Sequence, residues 1–250
     1  MRSRRTVGQG SSLRAGTVSG IRHGGPTEVP RLLAVGADHS AADRLSNGGR
    51  RVRQPRWRAV VQVAVHAGAV VPLAMLIWDS LTGGLTANPI QALTARTGTA
   101  ALVCLILSLA VTPFSGVGRQ AWVVPWRRPL GLYAFFYASL HMATFVALDY
   151  GLDWYLIWDT VLEKRYIVAG SGAFVAMVPL ALTSTRGWQR RLGTRWRKLH
   201  RLAYLAAILA VIHFLWLVKA DIRQPVVYGV GVAALLALRL PGVRSRLRSW

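Results

Sequence analysis

The sequence predicts an all-α integral membrane bundle of six transmembrane helices with both termini on the cytoplasmic side. Three observations predict it. The 250 residues are 53% hydrophobic and 16% charged, with a mean hydropathy of +0.35, which is too apolar for an ordinary soluble domain. Six uncharged or nearly uncharged runs approach the length needed to cross a hydrocarbon core of ~30 Å, about 20 residues of helix. After position 57, acidic and basic residues segregate between alternate connections, as a fixed membrane orientation requires.

Residues 1–57 are rich in Arg, Gly and Ser, show no hydrophobic period, and carry no apolar signal-peptide core behind Arg2, Arg4 and Arg5. They are expected to be a disordered basic cytoplasmic segment, or an upstream extension of the reading frame. The membrane domain is expected over 58–240, with spans at 59–78, 97–114, 130–148, 166–182, 202–218 and 226–240. The last is short and contains Arg239, which is expected to snorkel to the interface. It is retained because an even number of spans returns the basic tail, 241–250, to the side of the N-terminus.

The acids Asp79, Asp149, Asp153, Asp159, Glu163 and Asp221 all fall in the first, third and fifth connections, which are therefore expected to face outward. Arg50, Arg51, Arg53, Arg56 and Arg58, then Arg119, Arg127 and Arg128, then the dense run 186–201 occupy the other side and face the cytoplasm. That run reads first as a topology determinant. Its second reading is a contact for a soluble electron donor or for cofactor carboxylates. Trp154, Tyr155 and Trp158, set among Asp153 and Asp159, read as an interfacial aromatic belt ahead of a docking surface.

The formal charge of +22 would suit nucleic acid, but these arginines flank apolar runs instead of interleaving with aromatics on a soluble face, so no nucleic-acid partner is expected and lipid is. The single cysteine, Cys104, lies inside an apolar run, which excludes intramolecular disulfides and cysteine-ligated clusters. No Gly-rich dinucleotide loop follows a strand, and no catalytic Ser/His/Asp or paired-carboxylate constellation is present. No catalytic residue is assigned.

Of six histidines, His23 and His39 fall in the N-terminal segment, whereas His66, His141, His200 and His213 lie in or at the mouths of spans. Ionisable groups there are costly and point to function, and neutral imidazole is a usual ligand of haem iron. At ~1.5 Å per residue, His141, 13 residues after Arg128, and His213, 13 after His200, both lie roughly 20 Å from the cytoplasmic edge. Their helices run the same way, so the pair is expected to ligate one haem. His200, at the inner mouth, is a candidate for a second haem, but on a straight helix it stands about 140° from His213, and the residue matching it on the third span is Arg128. His66 reads as a packed, hydrogen-bonded residue and not a ligand.

Three blocks, ANPIQALTARTG (87–98), RRPLGLYAFFYASLHMATF (127–145) and LALTSTRGWQRRLGTRWRKLHRLAYLAAILAVIHFLW (180–216), resemble in order and spacing the haem-binding membrane subunits of bacterial periplasmic protein-methionine-sulfoxide reductase systems, within the ferric-reductase-like transmembrane family. The resemblance covers roughly 56–239. It implies a multi-pass inner-membrane cytochrome with haem b, and FMN as a further cofactor. It implies a periplasmic molybdopterin-dependent methionine sulfoxide reductase subunit as its partner in a heterodimer that repairs oxidised envelope proteins. Electrons would come from the quinone pool or a cytoplasmic flavin reductase. The haem-associated histidines would be His141, His200 and His213. Two rivals remain: a ferric or other metal reductase membrane subunit, which normally carries a fused flavin and nicotinamide domain, and a haem-free transporter or assembly scaffold using buried histidines.

Overall fold

A computed structural model of the chain describes residues 56–117, 120–218 and 221–240. The expectations for the N-terminal segment up to 55 and for the tail 241–250 lie outside the described residues. Within them the chain is helical: α1 (Arg56–Thr82), α2 (Pro89–Val117), a 3-10 segment (Ala121–Trp126), α3 (Arg127–Ala143), a π-helical turn (Thr144–Asp149), α4 (Trp154–Glu163), α5 (Arg165–Leu182), α6 (Arg186–Leu192), α7 (Thr194–Leu199), α8 (Leu202–Leu217) and α9 (Arg223–Ala237).

Five helical segments are long and apolar enough to cross a membrane: Trp57–Thr82, Pro89–Gly116, Ala121–Asp149, Arg165–Leu182 and Thr194–Leu217. The sixth expected span is α9, an apolar helix of 15 residues, about 22 Å at 1.5 Å per residue and so shorter than the ~30 Å core. Large apolar side chains such as Val63, Met75, Trp78, Leu107, Phe136, Val175, Leu205 and Val230 are exposed along the helices. Water would oppose such a surface, and lipid suits it.

The helices pair before they bundle. α2 lies most extensively along α3, and α5 along α8; α3 meets α5, α2 meets α8, and α9 lies against α8 and α2. Small residues permit the close approach, since Ala134 on α3 and Ala206 and Ala207 on α8 are fully buried. Leu102, Leu105, Leu109, Tyr137, Met177 and Val211 fill the space around them.

Two polar contacts that hydropathy could not reveal lie beside prolines. Pro72 lies inside α1, and there the buried Tyr137 hydroxyl bridges the helix ladder, donating to the Ala69 carbonyl at 2.6 Å and accepting from the Leu73 N–H at 3.2 Å. Pro113 lies inside α2 and has no N–H to offer the Leu109 carbonyl four residues earlier. The Arg239 guanidinium supplies the missing donor at 2.6 Å, while also hydrogen-bonding the Tyr204 hydroxyl and lying over its ring at 4.7 Å. Arg239 therefore turns inward to tie the end of α9 to α2 and α8. The guanidinium expected to snorkel is thus held by a carbonyl and a hydroxyl of the bundle at the end of α9.

Element ends follow from caps. The Asn88 side chain accepts from the Gln91 N–H at 3.1 Å with Pro89 next in sequence, so α2 starts well before the apolar run that marks it. The third connection is not a plain loop: Asp153 accepts from the N–H groups of Tyr155 and Leu156 at 3.0 and 3.1 Å and starts the ten-residue α4. Trp154, Tyr155 and Trp158 are exposed on it. At the same end Arg96 of α2 pairs with Asp79 of α1, the only ion pair among the described residues.

Candidate functional site: a facing histidine pair

α3 and α8 each carry one histidine near the end that meets the acidic connections, and the two rings come together. The His141 and His213 ring centroids are 6.0 Å apart and their planes are inclined at 82°. Each ring is anchored from behind by the neighbouring helix of its own pair. His141 Nδ1 lies 2.9 Å from the Thr94 carbonyl on α2, and His213 Nδ1 lies 2.7 Å from the Tyr166 carbonyl on α5. A carbonyl only accepts, so each Nδ1 must carry the proton, and in a neutral ring Nε2 keeps its lone pair. Neither Nε2 makes a hydrogen bond among the described residues. The arrangement thus holds two imidazoles in one tautomer with their basic nitrogens available, the support that metal-bound histidines ordinarily receive.

The two anchors repeat one pattern, each spanning 47 residues. The matched partners are equally offset: 166 − 94 and 213 − 141 are both 72. The buried alanines of α3 and α8 obey the same offset, 206 − 134 being 72. The α2–α3 and α5–α8 pairs therefore repeat one anchoring arrangement and face each other through their histidines. Immediately beyond His141 the helix widens into the π turn, where the Thr144 hydroxyl donates to the His141 carbonyl at 2.8 Å. Such widened turns often lie beside functional groups.

The other two histidines stand apart. His200 falls where regular helix lapses between α7 and α8, so the angle expected for a straight helix does not apply. Its ring lies on Trp196 at a centroid distance of 3.9 Å, and its Nδ1 is 3.2 Å from the Trp196 carbonyl. Trp196 in turn donates Nε1 to the Thr183 carbonyl at 3.0 Å. By the 72-residue offset the counterpart of His200 is Arg128, which donates Nε to the Ser184 hydroxyl at 3.2 Å. His66 packs at 2.9 Å from the Tyr133 hydroxyl, with its ring edge-on to Trp126 and Tyr133. A groove of about 1550 Å³ runs between α1 and α2, has a mainly apolar lining, and is lined by none of these histidines.

The residues present fit a haem iron between His141 and His213. A metal–imidazole bond is about 2 Å, and with the ring centre about 1 Å behind its nitrogen, two imidazoles on opposite sides of one metal have centroids roughly 6 Å apart. Among the described residues no group of three or more His, Cys, Asp or Glu can hold a metal ion. Two axial imidazoles therefore suit an ion whose other ligands come from a macrocycle. Sequence reasoning did not find Thr94 and Tyr166, because they act through backbone carbonyls; the equal 47-residue spacing was the available signal.

The fold and this site define a class, a multi-pass helical membrane protein with a facing histidine pair, and the comparisons agree with it. The family described as ferric reductase like transmembrane component matches residues 97–211, which include both paired histidines. No solved structure matches the chain. The protein-methionine-sulfoxide reductase heme-binding subunit MsrQ of Xanthomonas axonopodis pv. citri (strain 306) is 44% identical over 182 residues, covering 70% of this chain and 84% of that protein. The protein of the same description from Rhodospirillum rubrum is 42% identical over 187 residues, covering 74% of this chain and 90% of that protein. The chain belongs to the family of protein-methionine-sulfoxide reductase heme-binding subunits.

Proposed function

We propose that this chain is the haem-carrying electron conduit of a methionine-sulfoxide repair system in the bacterial inner membrane. Its partner would be a periplasmic molybdopterin-dependent reductase subunit, with which it forms a heterodimer. The observation that carries the reading is the His141–His213 pair, with both Nδ1 atoms tied to carbonyls and the ring centroids 6.0 Å apart. His141 and His213 would be the axial ligands of one haem b. When bound, haem supplies a one-electron couple that protein side chains lack. The chain's own contribution is to keep each proton on Nδ1 through Thr94 and Tyr166, on helices whose nearby residues Ala138, Ala210 and Phe214 pack against the apolar core. The relatives' description as the heme-binding subunit of a reductase supports placing methionine sulfoxide chemistry on another chain.

The proposed orientation has six spans, α9 included, and both termini in the cytoplasm, supported by the acids of the connections around α1–α2, α3–α5 and α8–α9 and by the arginines at the opposite end. The domain division is 1–57 basic segment, 58–240 haem domain and 241–250 basic tail. Electrons would enter at the basic end from the quinone pool or a cytoplasmic flavin reductase. There His200, stacked on Trp196, is either a ligand of a second haem or a donor contact. FMN belongs to the proposal by resemblance alone, and no residue is assigned to it. The test is partner dependence. The purified, reduced chain should leave methionine sulfoxide unchanged and should reoxidise rapidly only when the molybdopterin subunit and its substrate are added. Turnover by the isolated chain would contradict the conduit.

A further inference from the structure

The two anchored histidines share a second feature. In each half a glycine stands four residues after the anchoring carbonyl: Gly98 after Thr94 and Gly170 after Tyr166. It is also the same distance in sequence from its histidine, since 141 − 98 and 213 − 170 are both 43. The reason is geometric. On a helix the Cα–Cβ bond tilts toward the N-terminus, so a side chain at i+4 shades the carbonyl at i from any group approaching across the helix face. A Cβ at Gly98 would lie 3.0 Å from His141 Nδ1 and 3.1 Å from its Cε1. At Gly170 the distances would be 2.7 Å and 2.9 Å to the same atoms of His213. Both contacts fall on the nitrogen that makes the anchoring bond. Gly172, on the same helix as Gly170, differs: its Cβ would meet only Leu209 Cδ1 at 3.4 Å, an ordinary contact.

We infer that Gly98 and Gly170 are positioning residues for the axial histidines, each keeping the i+4 position empty so that an imidazole can reach the carbonyl behind it and hold a fixed ring plane. This rests on the haem reading proposed above and adds what sets the two ligands' orientation and donor strength. A hydrogen bond at Nδ1 raises the basicity of the ligating nitrogen. A more basic ligand favours the ferric state, so loss of that bond moves the midpoint potential to more positive values. The near-perpendicular rings also set the electron paramagnetic resonance anisotropy of a ferric low-spin haem. Because the Gly170 contact is the closer one, its half is the more sensitive.

The test uses the full chain in membranes and in detergent, comparing Gly98→Ala, Gly170→Ala and Gly172→Ala with the unaltered protein by redox titration and by electron paramagnetic resonance of the oxidised form. Gly170→Ala should shift the potential positively and change the low-spin g-values, or lose low-spin haem outright. Gly98→Ala should shift both in the same direction by less, and Gly172→Ala should leave both unchanged. If Gly170→Ala does not accumulate, the milder Gly98→Ala decides the matter against Gly172→Ala. Unchanged g-values and potential in Gly98→Ala and in any recovered Gly170→Ala would overturn the inference, as would an equal shift in Gly172→Ala. Including His141→Ala and His213→Ala separates the two failures. If those variants keep the unaltered low-spin signal, the haem reading itself has failed; if they lose it while the glycine variants are silent, only the positioning role has.

Discussion

At the acidic end of the bundle the 72-residue offset pairs like with like: His141 with His213, and the carbonyl of Thr94 with that of Tyr166. At the basic end the same offset pairs Arg128 with His200, one bound to Ser184 and the other resting on Trp196. The two helix pairs share this residue offset, but only the acidic end repeats the chemistry. Two facing helix pairs therefore make a two-ligand site only where both carry the ligand and its support. Where one half substitutes an arginine, the end becomes a charged surface with a single imidazole, better suited to contact a donor or an anionic group than to form a second pair of like ligands.

The largest effect that would break this comparison is at the acidic end. Replacing His141 or His213 with Ala should abolish electron transfer from a chemical reductant to the partner subunit while membrane insertion, followed by immunoblot of washed membranes, persists. Each change removes a proposed ligand for which no Cys stands in, since Cys104 is buried within the α2 core. At the basic end His200→Ala should slow reduction by the physiological donor without removing the low-spin haem at the acidic end, as stopped-flow reduction would show. An equal loss at both ends would mean that the two ends are chemically equivalent after all.

Smaller effects concern the scaffold. Tyr137→Phe leaves the Ala69 carbonyl and Leu73 N–H without their bridge, and Arg239→Met leaves the Leu109 carbonyl without a donor; each should cost about 1–3 kcal/mol, the usual penalty for an orphaned buried polar group. Denaturant titration in mixed micelles should detect both as earlier unfolding, with haem spectra retained in the folded fraction. His66→Ala, which removes one hydrogen bond to Tyr133, should cost about 1 kcal/mol and leave haem content unchanged. Loss of haem in that variant would move the site to α1.

Much of this architecture was legible in the chain because hydrophobic length and charge segregation survive as composition. The apolar runs marked the helices of the bundle, and counting from Arg128 and His200 put His141 and His213 at one level. What was not legible depends on hydrogen bonds between helices. Nothing in a hydropathy profile says that Arg239 will answer a carbonyl freed by Pro113, or that Tyr137 will bridge α1 beside Pro72. The cap that begins α4 was written in Asp153, but its aromatics invited reading as a belt on a loop. The break at His200 escaped because a straight helix was assumed, and the carbonyl anchors escaped because any residue can supply one. The repeated spacing was visible in the sequence, yet it acquires meaning only once the two helix pairs are seen to face each other.

The most direct test of the account is the dithionite-reduced minus oxidised visible spectrum, with haem quantified per protein, for the purified unaltered chain and for His66→Ala, His141→Ala, His200→Ala and His213→Ala at matched protein levels. A six-coordinate low-spin b-haem spectrum is expected in the unaltered protein, with the His141–His213 haem lost in His141→Ala and in His213→Ala and retained in His66→Ala and His200→Ala, where His200→Ala loses at most a second haem. A chain that purifies without haem, or one in which His141→Ala and His213→Ala keep the full low-spin spectrum, would contradict it.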